Sequence, residues 1–216
     1  IYFYLYRPKS YHQIYNSAFM ELNDNIFRAN DIRGIAFEDL TEEVVFSLGK
    51  ALGTESINRK QDTFIIGRDG RVSSPQLFEW ISQGVLATGC NVIDIGVVPS
   101  PVFYHSTFCL NSSSGVVITG SHNPADYNGF KILFNNNSTS SEEIQSIKKR
   151  VKEKNFLSGK GNIQSLDVIE NYIKEVTNNI KLKRPLNISI DCGNGAAGVV
   201  AERIYKSLGC QVQGLF

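Results

Sequence analysis

The chain predicts an α/β fold: a mixed, mostly parallel sheet sandwiched by helices, followed by the start of a second, similar α/β domain. Two observations carry this. Short apolar runs at Thr63 to Ile66, Asn91 to Ile95 and Gly115 to Ile118 read as buried strands. Segments with helical spacing separate them, and strands alternating with helices favour parallel pairing. The same alternation restarts at Asn187 after a boundary at Lys181 to Pro185.

In chain order, Thr41 to Ser56 predicts a helix, with Thr41 as cap and Glu42 and Glu43 in its first turn. Thr63 to Ile66 is a short strand running into Gly67-Arg68-Asp69. Ser74-Pro75 then opens a helix, with Ser74 as cap and proline at the first position. Its Leu77, Ile81 and Val85 share one face, and Gly84 permits close packing. Asn91 to Ile95 is the next strand. Pro99-Ser100-Pro101 ends it before a helix containing Phe103, Tyr104 and Phe108. Gly115 to Ile118 and Gly129 to Phe134 are strands. A polar loop follows, from Asn135 to Ser141, where Ser140 and Glu143 have capping-box spacing ahead of a basic helix to about Lys154. Ser158 to Asn162 is a turn-rich break. Leu166, Ile169, Ile173, Val176 and Ile180 mark an amphipathic helix, and Asn187 to Asp191 is a strand. The implied organisation is a leader at 1–19, a first domain at 20–160, a linking helix at 161–185 and the opening of a second domain at 186–216.

Composition excludes several classes. At 216 residues, 42% hydrophobic and 11% aromatic, the chain can bury a core. Lys plus Arg number 22 against 21 Asp plus Glu, and a net charge of +1 gives no reason to expect nucleic acid as partner. No apolar run reaches the length of a membrane span. The four cysteines show no CxxC and no His-partnered zinc spacing, so they read as reduced, mostly buried thiols of a cytoplasmic protein. Met20 is the only methionine, and residues 1–19 lack the pattern of a secretory signal; they read as upstream sequence outside the fold. A domain running from Leu186 to Phe216 is too short to bury a core, so the chain reads as a fragment. Oligomeric state is not legible.

Between two strands lies Thr119-Gly120-Ser121-His122-Asn123-Pro124. It holds a serine on a tight polar turn at the carboxyl end of a strand, where open α/β sheets bind ligands. His122 adjoins the serine and Lys131 follows ten residues later, parts that suit a hydroxyl taking and giving a charged group. Taken alone, such a serine is more often a solvated turn residue. Asp191-Cys192-Gly193-Asn194-Gly195-Ala196 is a Gly-rich turn after a strand, without the spacing of a dinucleotide fingerprint or the lysine of a P-loop. It reads as structural.

The serine turn, with Asp126-Tyr127-Asn128-Gly129-Phe130-Lys131, resembles the active-serine loop of the α-D-phosphohexomutases, in particular the phosphomannomutase/phosphoglucomutase branch. Three further segments resemble family motifs in the same order: Phe27 to Gly34, Gly67 to Pro75, and Asp191 to Ala196. The resemblance implies that Ser121 carries a phosphoryl group, gives it to one hydroxyl of a hexose phosphate, and recovers the other phosphate after a hexose 1,6-bisphosphate intermediate reorients. It implies Lys131 as general acid/base, His122 and Asn123 beside the phosphate, and Arg33 and Arg71 as guanidinium forks. Asp69, close to Arg71, suggests an ion pair holding the loops. The resemblance also implies Mg²⁺ on the Ser121 phosphate and three aspartates, yet no Asp-x-Asp-x-Asp run exists in the chain. Mutase turnover by this chain alone is therefore expected to be negligible. Asn30 stands where many family members have tyrosine. The alternatives are a non-catalytic phosphate-binding domain, a phosphoglucosamine mutase, or a serine hydrolase. The last lacks a Gly-x-Ser-x-Gly elbow and requires adjacent His122 to turn back onto Ser121.

Overall fold

A computed structural model describes residues 22–215; the leader expected at 1–19 lies outside them. The elements are β1 (Ile32–Ile35), α1 (Glu42–Asn58), β2 (Thr63–Arg68), α2 (Ser74–Leu86), β3 (Asn91–Val97), α3 (Ser100–Cys109), β4 (Gly115–Ile118), β5 (Tyr127–Phe134), β6 (Asn137–Ser138), α4 (Ser141–Glu153), β7 (Ile163–Ser165), α5 (Ile169–Asn179), β8 (Asn187–Ile190), α6 (Ala201–Ser207) and β9 (Gln211–Gly214).

The main sheet has the order β1-β5-β4-β2-β3-β7, with β6 on β5. Strands β4, β2, β3 and β7 are mutually parallel, as their crossover helices require. The loop between β4 and β5 is too short for a crossover, so β5 runs antiparallel to β4, and β1 antiparallel to β5. Strands β8 and β9 form a separate parallel pair.

Successive residues of a strand face opposite sides, and here both sides are apolar. Phe64, Ile66, Val116, Ile118, Phe130, Ile132 and Phe134 pack with α1, α2 and α4. Ile65, Ile93, Ile95, Val117 and Leu133 pack with Val102 and Phe103 of α3 and Ile173 of α5. Leu77, Ile81 and Val85 form the buried face of α2. Helices α1 and α2 touch through glycine: a Cβ on Gly84 would lie 2.9 Å from the Gly49 Cα. The Ser140–Glu143 capping box is formed, and Glu143 also accepts from Arg59, which follows the last residue of α1, at 2.8 Å.

Some local expectations are corrected. Residue 73, not Ser74, precedes the first turn of α2, and neither serine caps it by a side-chain bond. The Ser74 hydroxyl instead donates to Asp69 at 2.6 Å. Helix α5 begins at Ile169, leaving Leu166 and Ile180 exposed outside it. Cys90 and Cys210 are buried, but Cys109 is exposed and Cys192 half-buried, so the thiols are less uniformly internal than composition suggested. Among the described residues, no helix is long and apolar enough to cross a membrane.

Candidate active site

Parallel pairing sets Arg68 of β2 against Ile118 of β4, so the loops leaving these two strands are neighbours at one end of the sheet. The β4 exit is the serine turn. Ser121 has a φ of 53°, a left-handed conformation unusual for a residue with a Cβ. Thr119 Oγ1 accepts the Ser121 N–H at 2.9 Å, and the Asn123 N–H and side-chain amide both donate to the Gly120 carbonyl at 3.0 Å. The serine itself is exposed at the rim.

Arg71 maintains this shape. Its Nη1 donates to the carbonyls of Pro124 (2.5 Å) and Tyr127 (3.0 Å), and its Nη2 to those of Ser121 (3.1 Å) and Asn123 (2.7 Å). Its Nε lies 3.4 Å from Asp69 Oδ2. A guanidinium has five N–H donors; four of them meet loop carbonyls, and the Nε faces the Asp69 carboxylate as an ion pair. In this arrangement the Arg71 Nη donors clamp the loop, and the ion pair expected with Asp69 lies beside them. Asp69 is equally committed. Its Oδ1 accepts from the Arg71 N–H and the Ser74 hydroxyl, and its Oδ2 from the Gly120 N–H. The guanidinium lies directly over Gly120, where any side chain would collide with it. Beneath the loop, buried Asn128 donates to the hydroxyls of Ser73 and Ser74 and accepts from the Gly129 N–H.

Arg33 approaches from β1. It pairs with Gly129 of β5, whose missing side chain lets the arginine lie across the strand. Its Nη1 donates to the Gly120 carbonyl at 2.9 Å and its Nη2 to Asp31 at 2.5 Å. Arg33 is 6% exposed, and its Nε is buried without a hydrogen-bond partner. An orphaned cationic donor is costly; this one is closed to solvent, so an anion reaches it only if the side chains around it move. Lys131 is half-buried on the same strand, opposite Val117 of β4. It shares a sheet face with Arg33 because Gly129 and Lys131 are two residues apart.

The His122 ring turns back toward the serine: its Nδ1 lies 3.3 Å from Ser121 Oγ. Asn30 lies exposed in the turn before β1. The 191–196 segment forms an Asx turn, Gly193 N–H to Asp191 Oδ1 at 2.8 Å, and continues as a 3₁₀ turn.

The metal implied by the resemblance does not fit these residues alone. Mg²⁺ takes about six oxygens. Here Ser121 Oγ is exposed, whereas the Asp69 carboxylate is consumed by the loop. The His–Cys–Glu cluster formed by His105, Cys109 and Glu175 lies elsewhere, between α3 and α5.

Comparison with known proteins follows the same lines. The family model described as phosphoglucomutase/phosphomannomutase, alpha/beta/alpha domain I, matches residues 24–158. A phosphomannomutase/phosphoglucomutase of Pseudomonas aeruginosa is 42% identical over 192 residues, covering 89% of this chain and 42% of that protein. A phosphoglucomutase of Neisseria meningitidis serogroup B is 40% identical over 194 residues, with the same coverage of 89% and 42%. The crystal structure of a phosphoglucomutase/phosphomannomutase family protein from Burkholderia thailandensis superposes with a TM-score of 0.86 at 38% identity, covering 90% of this chain and 44% of that one. The chain spans less than half the length of these relatives.

Proposed function

Because the chain belongs to the phosphoglucomutase/phosphomannomutase family, we propose that it supplies the phosphoryl-carrying serine of a phosphosugar mutase. The reaction moves phosphate between C1 and C6 of glucose or mannose phosphate. The observation that carries this reading is Ser121 itself, an exposed hydroxyl in a left-handed turn whose carbonyls Arg71 clamps.

In the forward step the P–O bond to Ser121 Oγ breaks as a bond forms from phosphorus to a sugar hydroxyl. Lys131 takes the proton of that hydroxyl. His122 Nδ1, at hydrogen-bonding distance, returns a proton to Ser121 Oγ. Arg33, held behind the turn by the Gly120 carbonyl and Asp31, supplies positive charge beside the phosphate, and Asn123 supports the turn. The bisphosphate intermediate then reorients and the same bonds are exchanged in reverse, regenerating the phosphoserine. Mg²⁺ belongs to this reading through the Ser121 phosphate; its carboxylates are not among these residues, so no step is assigned to it here. The substrates are cytoplasmic hexose phosphates, neither nucleic acid nor a membrane surface.

The test is a chimera in which this chain replaces the matching segment of the Pseudomonas aeruginosa relative. Mutase turnover is expected in the chimera and should disappear with Ser121→Ala. A folded chimera that is inactive, or a Ser121→Ala chimera that keeps turnover, would overturn the proposal.

A further inference from the structure

We propose that His105, Cys109 and Glu175 form a zinc site that pins α5 to α3. His105 and Cys109 are four residues apart on α3 and share a face, while Glu175 comes from α5. The sulfur of Cys109 lies 3.4 Å from His105 Nε2 and 3.9 Å from Glu175 Oε2, and Nε2 to Oε2 is 2.8 Å. Tetrahedral zinc bonds of about 2.3 Å to sulfur and 2.0–2.1 Å to nitrogen and oxygen give ligand–ligand edges of about 3.5 Å from sulfur and 3.3 Å from nitrogen to oxygen. Each observed edge is within about 0.5 Å of that triangle, so side-chain adjustment alone admits the ion.

The donor set also suits this cation. Thiolate, imidazole and carboxylate together favour a borderline-soft divalent metal over Mg²⁺ or Ca²⁺. Three protein ligands leave a fourth position, and Cys109 and Glu175 are both exposed, so water can occupy it. The Tyr172 ring meets His105 edge-on with centroids 5.2 Å apart, which holds the imidazole in this orientation. Helix α3 leads from the carboxyl end of β3 back to the start of β4, and Cys109 is its last residue. The cluster therefore lies toward the opposite end of the sheet from Ser121 and does not depend on the mutase reading. Bound metal would tie α5, whose Ile173 packs against α3's side of the core, to the first domain.

The experiment is a Co²⁺ titration of the reduced, untagged 216-residue chain, read by the near-ultraviolet thiolate-to-cobalt charge-transfer band and competed with Zn²⁺. The band is expected in the wild type and in Cys192→Ser, and absent in Cys109→Ser. Glu175→Gln should weaken binding by roughly tenfold or more, since even outer-shell changes at metal sites cost that much. Zn²⁺ should also raise the melting temperature of the wild type but not of Cys109→Ser. A folded wild type without the band, or a band lost in Cys192→Ser and kept in Cys109→Ser, overturns the proposal. So does cobalt binding that shows no thiolate band.

Discussion

Replacing Gly120 with alanine should dislodge Arg71 and loosen the serine turn. The added Cβ would sit 2.7 Å from Arg71 Nη1 and closer still to Cζ and Nε, where ordinary contact begins at 3.4 Å. Gly120 does not have positive φ, so alanine carries no backbone strain of its own. Relief requires the guanidinium to move by about 1 Å. The bonds at 3.0 and 3.1 Å, to Tyr127 and Ser121, then pass beyond hydrogen-bonding range. Two such bonds are worth about 1 kcal/mol each, and small-to-large strain adds about 1–2 kcal/mol, giving a loss of about 3–4 kcal/mol. Urea unfolding followed by the fluorescence of Trp80, the single tryptophan, measures it; with a slope of about 2 kcal/mol/M the midpoint falls by about 1.5–2 M. The decisive arm is a double-mutant cycle. Once Arg71→Ala has removed the clamp, Gly120→Ala should cost little more. A Gly120→Ala loss below about 0.5 kcal/mol, or full additivity with Arg71→Ala, refutes the clamp.

Two further predictions concern titratable groups. Burial pushes the Glu143 carboxyl up, but the Ser140 backbone N–H and Arg59 outweigh it and leave the group below its ordinary value. A depressed carboxylate stabilises the fold above its unfolded pKa and loses that contribution as pH falls through the folded one. Thermal melts from pH 7 to pH 3 should therefore show the gap between wild type and Glu143→Gln shrinking in acid; a constant gap contradicts the Arg59–Glu143 pairing. Burial pushes the Cys90 thiol up to about 12. Alkylation of the native protein near pH 8 should mark Cys109 and Cys192 while sparing Cys90 until unfolding, and peptide mapping showing early Cys90 modification would count against the packing of β3.

The sequence made the serine turn legible because its flanks are extreme. Gly115 to Ile118 is apolar on both faces, as a central strand must be, and Leu77, Ile81 and Val85 repeat at helical spacing. The Ser140–Glu143 box was readable for the same local reason. Elements fixed by distant partners were not. Strand β1 is Ile-Arg-Gly-Ile and β7 is Ile-Gln-Ser, with every β7 residue exposed; each exists because a neighbouring strand offers hydrogen bonds. An arginine in this motif reads as a fork for phosphate, whereas the Nη2 donors of Arg71 meet carbonyls some fifty residues away, a pairing that only the folded chain creates. The contact between His122 and Ser121 depends on local geometry that residue types alone do not dictate. His105 and Cys109 escape a search for CxxC because their spacing becomes meaningful only on one helix beside Glu175.

The central claim is that Ser121 carries the phosphoryl group. It is tested most directly by incubating the purified chimera, in which this chain replaces the matching segment of the Pseudomonas aeruginosa relative, with a hexose 1,6-bisphosphate and Mg²⁺ and mapping the product by peptide mass spectrometry. The account predicts one phosphoryl group, on Ser121, absent from the Ser121→Ala chimera. Phosphate on another residue, or none on a folded chimera, would contradict it.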